Sequence, residues 1–185
     1  GRITLTLIGG GVLMILAVGL PLGIGRARRP ESRTLQVATS FAHVLSSVPT
    51  LVWAFVLLVT AVAFFGVAPN YSLLDGAGPG EATLIYAAPI IALALGDGTL
   101  SDVIRHVRSE TEKELRQTYV RALRARQAPV FRHVWRGIVG PVFSVISNKI
   151  AYLMSGTVVV EYVFGFPGLA YQIYNSIEST PKGYD

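Results

Sequence analysis

No cysteine occurs in the 185 residues, which excludes disulfide frameworks, thiol nucleophiles and cysteine-based metal sites. Charge is scarce as well: Asp, Glu, Lys and Arg make up 15% of the chain, against 51% apolar residues. A soluble domain carries about 25% charged residues, so there is too little charge here for the skin of a soluble globule. Acidic residues are the scarcer sign, 11 against 16 basic, for a net charge of +5. The charge is gathered in two blocks and the rest is apolar, so nucleic acid is not expected as a partner. No lysine sits in a phosphate loop, which needs Gly-Lys followed by Ser or Thr. Lys113, Lys149 and Lys182 follow Glu, Asn and Pro, and the chain is expected to bind no ATP in that way. His43, His106 and His133 share no metal-ligand spacing, and no serine stands in a nucleophile elbow. No catalytic residue, metal or cofactor is therefore expected on the chain itself. Glu110, Glu112 and Glu114 alternate by two along a helix and read as intrahelical partners, for example Glu112 with Arg116 at i, i+4.

What is present is long apolar segments separated by loops of unequal charge. Nine of the sixteen basic residues lie between Ile104 and Gly137, and Arg26, Arg28, Arg29 and Arg33 cluster in a second break. The loop GVAPNYSLLDGAGPG, at positions 66–80, has none. Lys and Arg are retained in cytoplasmic loops of membrane proteins, so both basic segments read as cytoplasmic and the uncharged loop as external. The expected fold is an all-α polytopic membrane bundle in one transmembrane domain, 1–185. Its spans are placed at 3–25, 35–65, 82–104 and 137–164, its cytoplasmic segments at 26–34 and 105–136, and its external ones at 66–81 and 165–185.

Each segment meets the roughly 20 residues that a bilayer crossing needs, with local irregularities. Gly9, Gly10, Gly11, Gly19 and Gly23 in the first suit close helix packing. The second is longer than a span, so it tilts or begins as an interfacial helix, and Pro49 should kink it near residues 45–49. Ser46, Ser47 and Thr50 stand ready for the carbonyls so freed. The third loses its purely apolar run at Leu95 and must continue through GDGTLSDVI, which places Asp97 and Asp102 at membrane depth. The fourth carries Asn148 and Lys149 near its middle.

Four stretches resemble the permease subunits of the peptide/nickel class of ABC importers. TVVVEYVFGFPGLAYQI, from Thr157 to Ile173, looks like that family's Val-Val-Glu-x-Val-Phe-x-x-Pro-Gly-Leu end of the fifth transmembrane helix. RHVWRGIVGPV resembles its Arg-His-Ala-Leu-Arg-Asn-x-x-x-Pro segment, and SVPTLVW its Ser-Val-Pro-Thr-Phe helix entry. TYVRALRAR, from Thr118 to Arg126, resembles Asp-Tyr-Val-Arg-Thr-Ala-Arg-Ala-Lys. The likeness implies a type I importer permease fold, a non-catalytic subunit of an ATP-hydrolysing complex. Implied partners are two ATPase subunits that bind ATP-Mg, a second and different permease subunit, an external substrate-binding protein and membrane lipid. The implied cargo is peptide-like or a related small solute, and the implied location is the bacterial plasma membrane. The family has six spans; this chain begins like the second and stops before the sixth, so it reads as an internal excerpt. Gln127 stands where the family has a glycine, and the stretch from Tyr119 to Arg132 is about four residues, close to one helical turn, shorter than the family pattern.

Three groups of candidate residues follow. By the resemblance, Tyr119, Val120, Arg121, Ala122, Leu123, Arg124, Ala125 and Arg126 form the coupling helix that seats in a groove of the ATPase. In that reading Val120 and Leu123 make an apolar ridge flanked by arginines. The alternative is a solvated basic turn that only sets topology. Lys149, with Asn148 beside it, lines the pathway or makes an intramembrane ion pair with Asp97, since a buried charge there needs a partner. A gradient-driven carrier using Asp97 and Lys149 is the rival function. Glu161, Pro167 and Gly168 are the family's signature on the outer side, either a gate or a helix stop with a tight turn.

Overall fold

The computed structural model describes residues 2–66, 68–76 and 78–178. Its elements are α1 (Arg2–Arg28), α2 (Arg33–Ser46), α3 (Thr50–Phe65), α4 (Pro79–Leu95), α5 (Thr99–Leu115), α6 (Thr118–Ala125), α7 (Val130–Val163) and α8 (Leu169–Glu178), with short 3-10 turns at Tyr71–Gly76 and Gly96–Gly98. No strand occurs among the described residues. By length and composition three stretches can cross a membrane: Arg2–Arg28, Gly80–Leu115 and Val130–Val163. The pair α2 and α3 makes a fourth if it is one span. The helices thus outrun the expected spans at their basic ends. Residues 179–185 of the expected external tail lie outside the described residues.

The α1 helix runs parallel to α4 and α5, which lie end to end. Gly10 faces Ile90, Gly11 faces Leu93 and Leu153, Gly19 faces Val103 and Gly23 faces Val107. Hydrocarbon does not drive apolar faces together, so helices in lipid associate through close van der Waals contact, which small residues permit. At Gly23 a Cβ would come within 2.8 Å of Val107 Cβ and 2.9 Å of the Ile104 carbonyl oxygen. Gly9 has nothing within 4 Å of such a Cβ and takes no part. Around this seam Leu7, Ile15, Ile85, Leu93, Val103 and Leu153 form one core.

The kink at Pro49 is a near-right angle: α2 and α3 are bent by 98°. The Ser47 hydroxyl donates to the His43 carbonyl at 2.8 Å, as expected of a hydroxyl beside a freed carbonyl. Thr50 serves elsewhere, and Ser46 Oγ is buried with no hydrogen bond among the described residues. The second break, Gly96–Gly98, places Asp97 at φ 54° and Gly98 at φ 74°. Those left-handed values stop the α4 helix and restart it as α5. The two breaks meet: the Asp97 N–H donates to the Val48 carbonyl at 3.2 Å.

Candidate functional site

The basic connection between α5 and α7 folds into a separate two-turn helix, α6. Its entry is fixed by Tyr119, whose hydroxyl donates to Glu114 Oε1 at 2.5 Å. Glu114 in turn lies against Gly137 of α7, so closely that a Cβ there would overlap its carboxylate. Desolvation, followed by the hydrogen bond and the charge of Glu114, pushes the Tyr119 phenol up to about 12. The centre of α6 is anchored by Val120, which is fully buried against Val134 and Ile138 of α7. This corrects the expected apolar ridge: Val120 points into its own chain, and Leu123 is half-buried. One residue along an α-helix turns about 100°, which leaves Arg121, Ala122, Ala125 and Arg126 facing outward, all exposed. Arg124 is exposed as well but turns toward the end of α1.

The exit from α6 is a Schellman motif. The Gln127 N–H donates to the Arg124 carbonyl and the Ala128 N–H to the Leu123 carbonyl, at 3.1 and 3.0 Å. That pattern needs a left-handed residue between the two bonds, and Gln127 supplies it at φ 54°. The family's missing glycine therefore falls on the position whose backbone calls for one. Pro129 does not end α6 but precedes the first residue of α7. Two of the three α5 glutamates are committed to their own helix, with Glu112 paired back to Arg108 at 2.7 Å rather than forward to Arg116, and Glu110 3.6 Å from Lys113.

At membrane depth the expected pair is replaced by two separate arrangements. Asp97 accepts from the Thr50 N–H at 3.3 Å and from the Thr50 hydroxyl at 2.6 Å. It caps α3 from another helix, because α3 begins after Pro49, which has no capping side chain. Gly96 makes room for this, since a Cβ there would stand 2.7 Å from Thr50 Cα. Lys149 instead donates to Asp102 Oδ2 at 2.6 Å and lies 4.8 Å from the Tyr152 ring centre. Asp102 also receives Arg105 at 3.0 Å. The left-handed break between Asp97 and Asp102 resets the helix phase, so the first carboxylate turns to α3 and the second to α7. Asn148 is exposed and joins neither arrangement.

The outer signature is a knot of three helix ends. Glu161 is fully buried near the end of α7. It accepts the Thr4 hydroxyl from α1 at 2.5 Å, and the same hydroxyl accepts the Leu169 N–H at the start of α8 at 3.1 Å. Gly168 packs so tightly on Glu161 that any Cβ would overlap the carboxylate. Between them the Phe166 N–H donates to the Glu161 carbonyl at 2.9 Å. Gly165 turns the chain at φ 64°, and Phe166 buries its ring against Tyr71 and Tyr86. Pro167 is half-buried within this turn. Glu161 and Gly168 are thus brought together. Thr4, Thr50, Asp102 and Glu114 were not among the candidates. Thr4 and Thr50 carried one signal in the sequence, a hydroxyl in an otherwise apolar run.

A family model described as binding-protein-dependent transport system inner membrane component matches residues 19–182. A protein of Brucella ovis named as a peptide permease is 27% identical over 183 residues, covering 95% of this chain and 57% of its own length. The metal-staphylopine import system permease protein CntB of Staphylococcus aureus is 26% identical over 85% of this chain and 49% of its own. The dipeptide transport system permease protein DppB of Escherichia coli K12 is 25% identical over 90% and 57%. The chain spans about half the length of the curated relatives it matches. No solved structure matches it.

Proposed function

The chain belongs to the binding-protein-dependent transport system inner membrane component family, a multi-pass inner-membrane family, and we propose that it forms the core of a pore-lining permease subunit in an ATP-driven importer. In this reading two partner ATPase subunits bind ATP-Mg below it, a second, different permease subunit completes the pore, and an external binding protein delivers cargo. The cargo is peptide-like or a related small solute, a class that the names of the dipeptide and metal-staphylopine relatives support.

The observation that carries the reading is α6. It is a short helix held to its own chain by one fully buried side chain, Val120, and by Tyr119. Its outward face offers small residues, Ala122 and Ala125, between Arg121 and Arg126. Small side chains allow a partner groove to close on the backbone, and flanking guanidinium groups suit acidic groove walls. Closure of the ATPases on ATP pushes this face. Val120 passes the motion to Val134 and Ile138, Tyr119 passes it through Glu114 to α5, and the spans rock between inward-open and outward-open states. The knot at Glu161 ties α1, α7 and α8 so that their outer ends move as one body.

The rival carrier would need ion-binding groups at membrane depth. Asp97 already caps α3 and Lys149 already pairs with Asp102. The test uses the lack of native cysteine. Ala125→Cys in the full-length subunit, cross-linked in its own membranes, is expected to give an ATPase adduct whose yield changes with ATP. A thiol that labels readily yet yields no ATPase adduct would overturn the reading.

A further inference from the structure

The cytoplasmic end of the bundle holds a concentration of positive charge that the transport reading does not use. A cleft of about 440 Å³ opens between the end of α1, the last turns of α5, and α6. Arg28, Arg108, Arg116 and Arg124 line it, with Glu112 as the acid among its lining residues. Glu112 is already taken by Arg108 at 2.7 Å. The Arg28 guanidinium sits 5.0 Å over the Phe131 ring, which holds it in place without neutralising it. Arg28, Arg116 and Arg124 have no acidic partner among the described residues. Four arginines less one glutamate leave the lining at a charge of +3. A second lobe, bounded by Leu115, Val130 and Phe131, shares Arg28 and Arg124 and gives the cleft an apolar wall.

We propose that this cleft is a binding site for a phosphate-bearing anion. Three guanidinium groups from three separate helices repel one another until an anion of more than one charge lies between them. The planar fork of donors on arginine matches phosphate oxygens two at a time. Arginine also keeps its charge at every physiological pH, so the site is permanent rather than switched by protonation. Its position at the end of α1 is the level of inner-leaflet headgroups in the topology proposed above. The anion is therefore the phosphate of an acidic lipid or a free phosphate from the cytoplasm. Either occupant ties α1, α5 and α6 together, so it stiffens the base on which the coupling helix is mounted.

The site rests on the proposed cytoplasmic placement of the basic loops, but its assay reads anion binding and not transport. A failed ATPase cross-link would leave it standing, and failed anion binding would leave the permease reading standing. The full-length permease in its complex is placed in nanodiscs of phosphatidylcholine alone and titrated with pyrophosphate, reading the melting temperature. In parallel, nanodiscs containing phosphatidylglycerol are analysed by native mass spectrometry for retained lipid. Arg28→Gln and Arg116→Gln, on different helices, each remove one guanidinium, and Arg29→Gln removes the same charge outside the cleft. Binding of one probe that falls about tenfold in both cleft variants, the loss of one charge-assisted bond, and holds in Arg29→Gln is the expected result. The probe that shows this behaviour identifies the source. Pyrophosphate bound at the ATPase nucleotide sites is insensitive to Arg28→Gln and so separates from binding in the cleft. Neither probe binding the wild type, equal binding by all three variants, or binding by the lone permease that vanishes in the complex would each overturn the proposal. The last would assign the arginines to the ATPase interface.

Discussion

Replacing Gln127 with glycine should tighten the coupling loop. Gln127 holds φ 54° at the end of α6, a conformation that costs an L-residue about 1–2 kcal/mol. Glycine removes that strain but gives the unfolded chain more freedom, worth about 0.4–1 kcal/mol in the opposite direction. The balance favours glycine by about 0.8 kcal/mol, a fourfold shift at 1.36 kcal/mol per decade. The effect falls on local opening of α6, because the two bonds around Gln127, to the Arg124 and Leu123 carbonyls, close its exit after the Arg126 N–H has bonded to the Ala122 carbonyl. Hydrogen exchange of the peptide covering residues 123–128, read by mass spectrometry on the full-length subunit, is the assay. Gln127→Gly is expected to slow exchange of the Ala128 amide about fourfold, and Gln127→Ala to leave it nearly unchanged, since alanine keeps the strain. Gln127→Val, β-branched and poorly suited to positive φ, is expected to speed it. If the glycine variant exchanges as fast as wild type or faster, strain at this residue is not what limits the loop.

Lys149 is 15% exposed and Asp102 45%, so the pair lies between surface and buried cases, and breaking it should cost about 1–2 kcal/mol. Thermal unfolding of Lys149→Asp and Asp102→Lys should show that loss singly and recover it in the double mutant. Rescue by Asp97→Lys instead would contradict the geometry. Gly168→Ala forces a methyl into the Glu161 carboxylate and should lower stability by about 1–3 kcal/mol, whereas Gly9→Ala, with open space around it, should be neutral or slightly stabilising; equal melting temperatures for the two would refute the packing account. The raised phenol of Tyr119 implies a native state that holds its proton more tightly than the unfolded chain does. Its contribution is therefore complete below about pH 10, the unfolded value, and is lost as pH rises toward the folded value of about 12. Because Tyr119 is 39% exposed, solvent screening keeps the effect small. The melting difference between wild type and Tyr119→Phe should be equal at pH 7 and 9 and shrink at pH 11, and a difference that grows between pH 7 and 9 would exclude this origin.

Much of the architecture was legible because it depends on quantities that run along the chain. Apolar length marked candidate spans and Pro49 the first break, whereas the third span was expected to continue through Gly96, Asp97 and Gly98, where the structure breaks it. The separate helix at Thr118 followed from the resemblance of its motif. The direction of Val120 was misread because the two-turn helix has apolar residues at Val120 and Leu123, and periodicity alone does not say whether such a stripe faces its own chain or a partner. Glu161 was marked by its motif, but its tie to Thr4, 157 positions away, had no sequence signal beyond a hydroxyl in an apolar run.

By itself the sequence determined the class of protein, and by resemblance it marked Gln127 as standing where the family has a glycine. Low charge, apolar length and clustered arginines act through transfer to lipid and membrane orientation, which respond to composition over a window. Only the tertiary structure decided which carboxylate Lys149 meets, which way Val120 points, and that Arg28, Arg116 and Arg124 share a cleft. Those outcomes depend on helix rotation. One residue changes a side chain's direction by about 100°, and the left-handed turn at Asp97 and Gly98 resets the phase of everything that follows in α5. Charge and hydropathy are summed along the chain, but partners are chosen by angle and crossing, which exist only once the helices have packed.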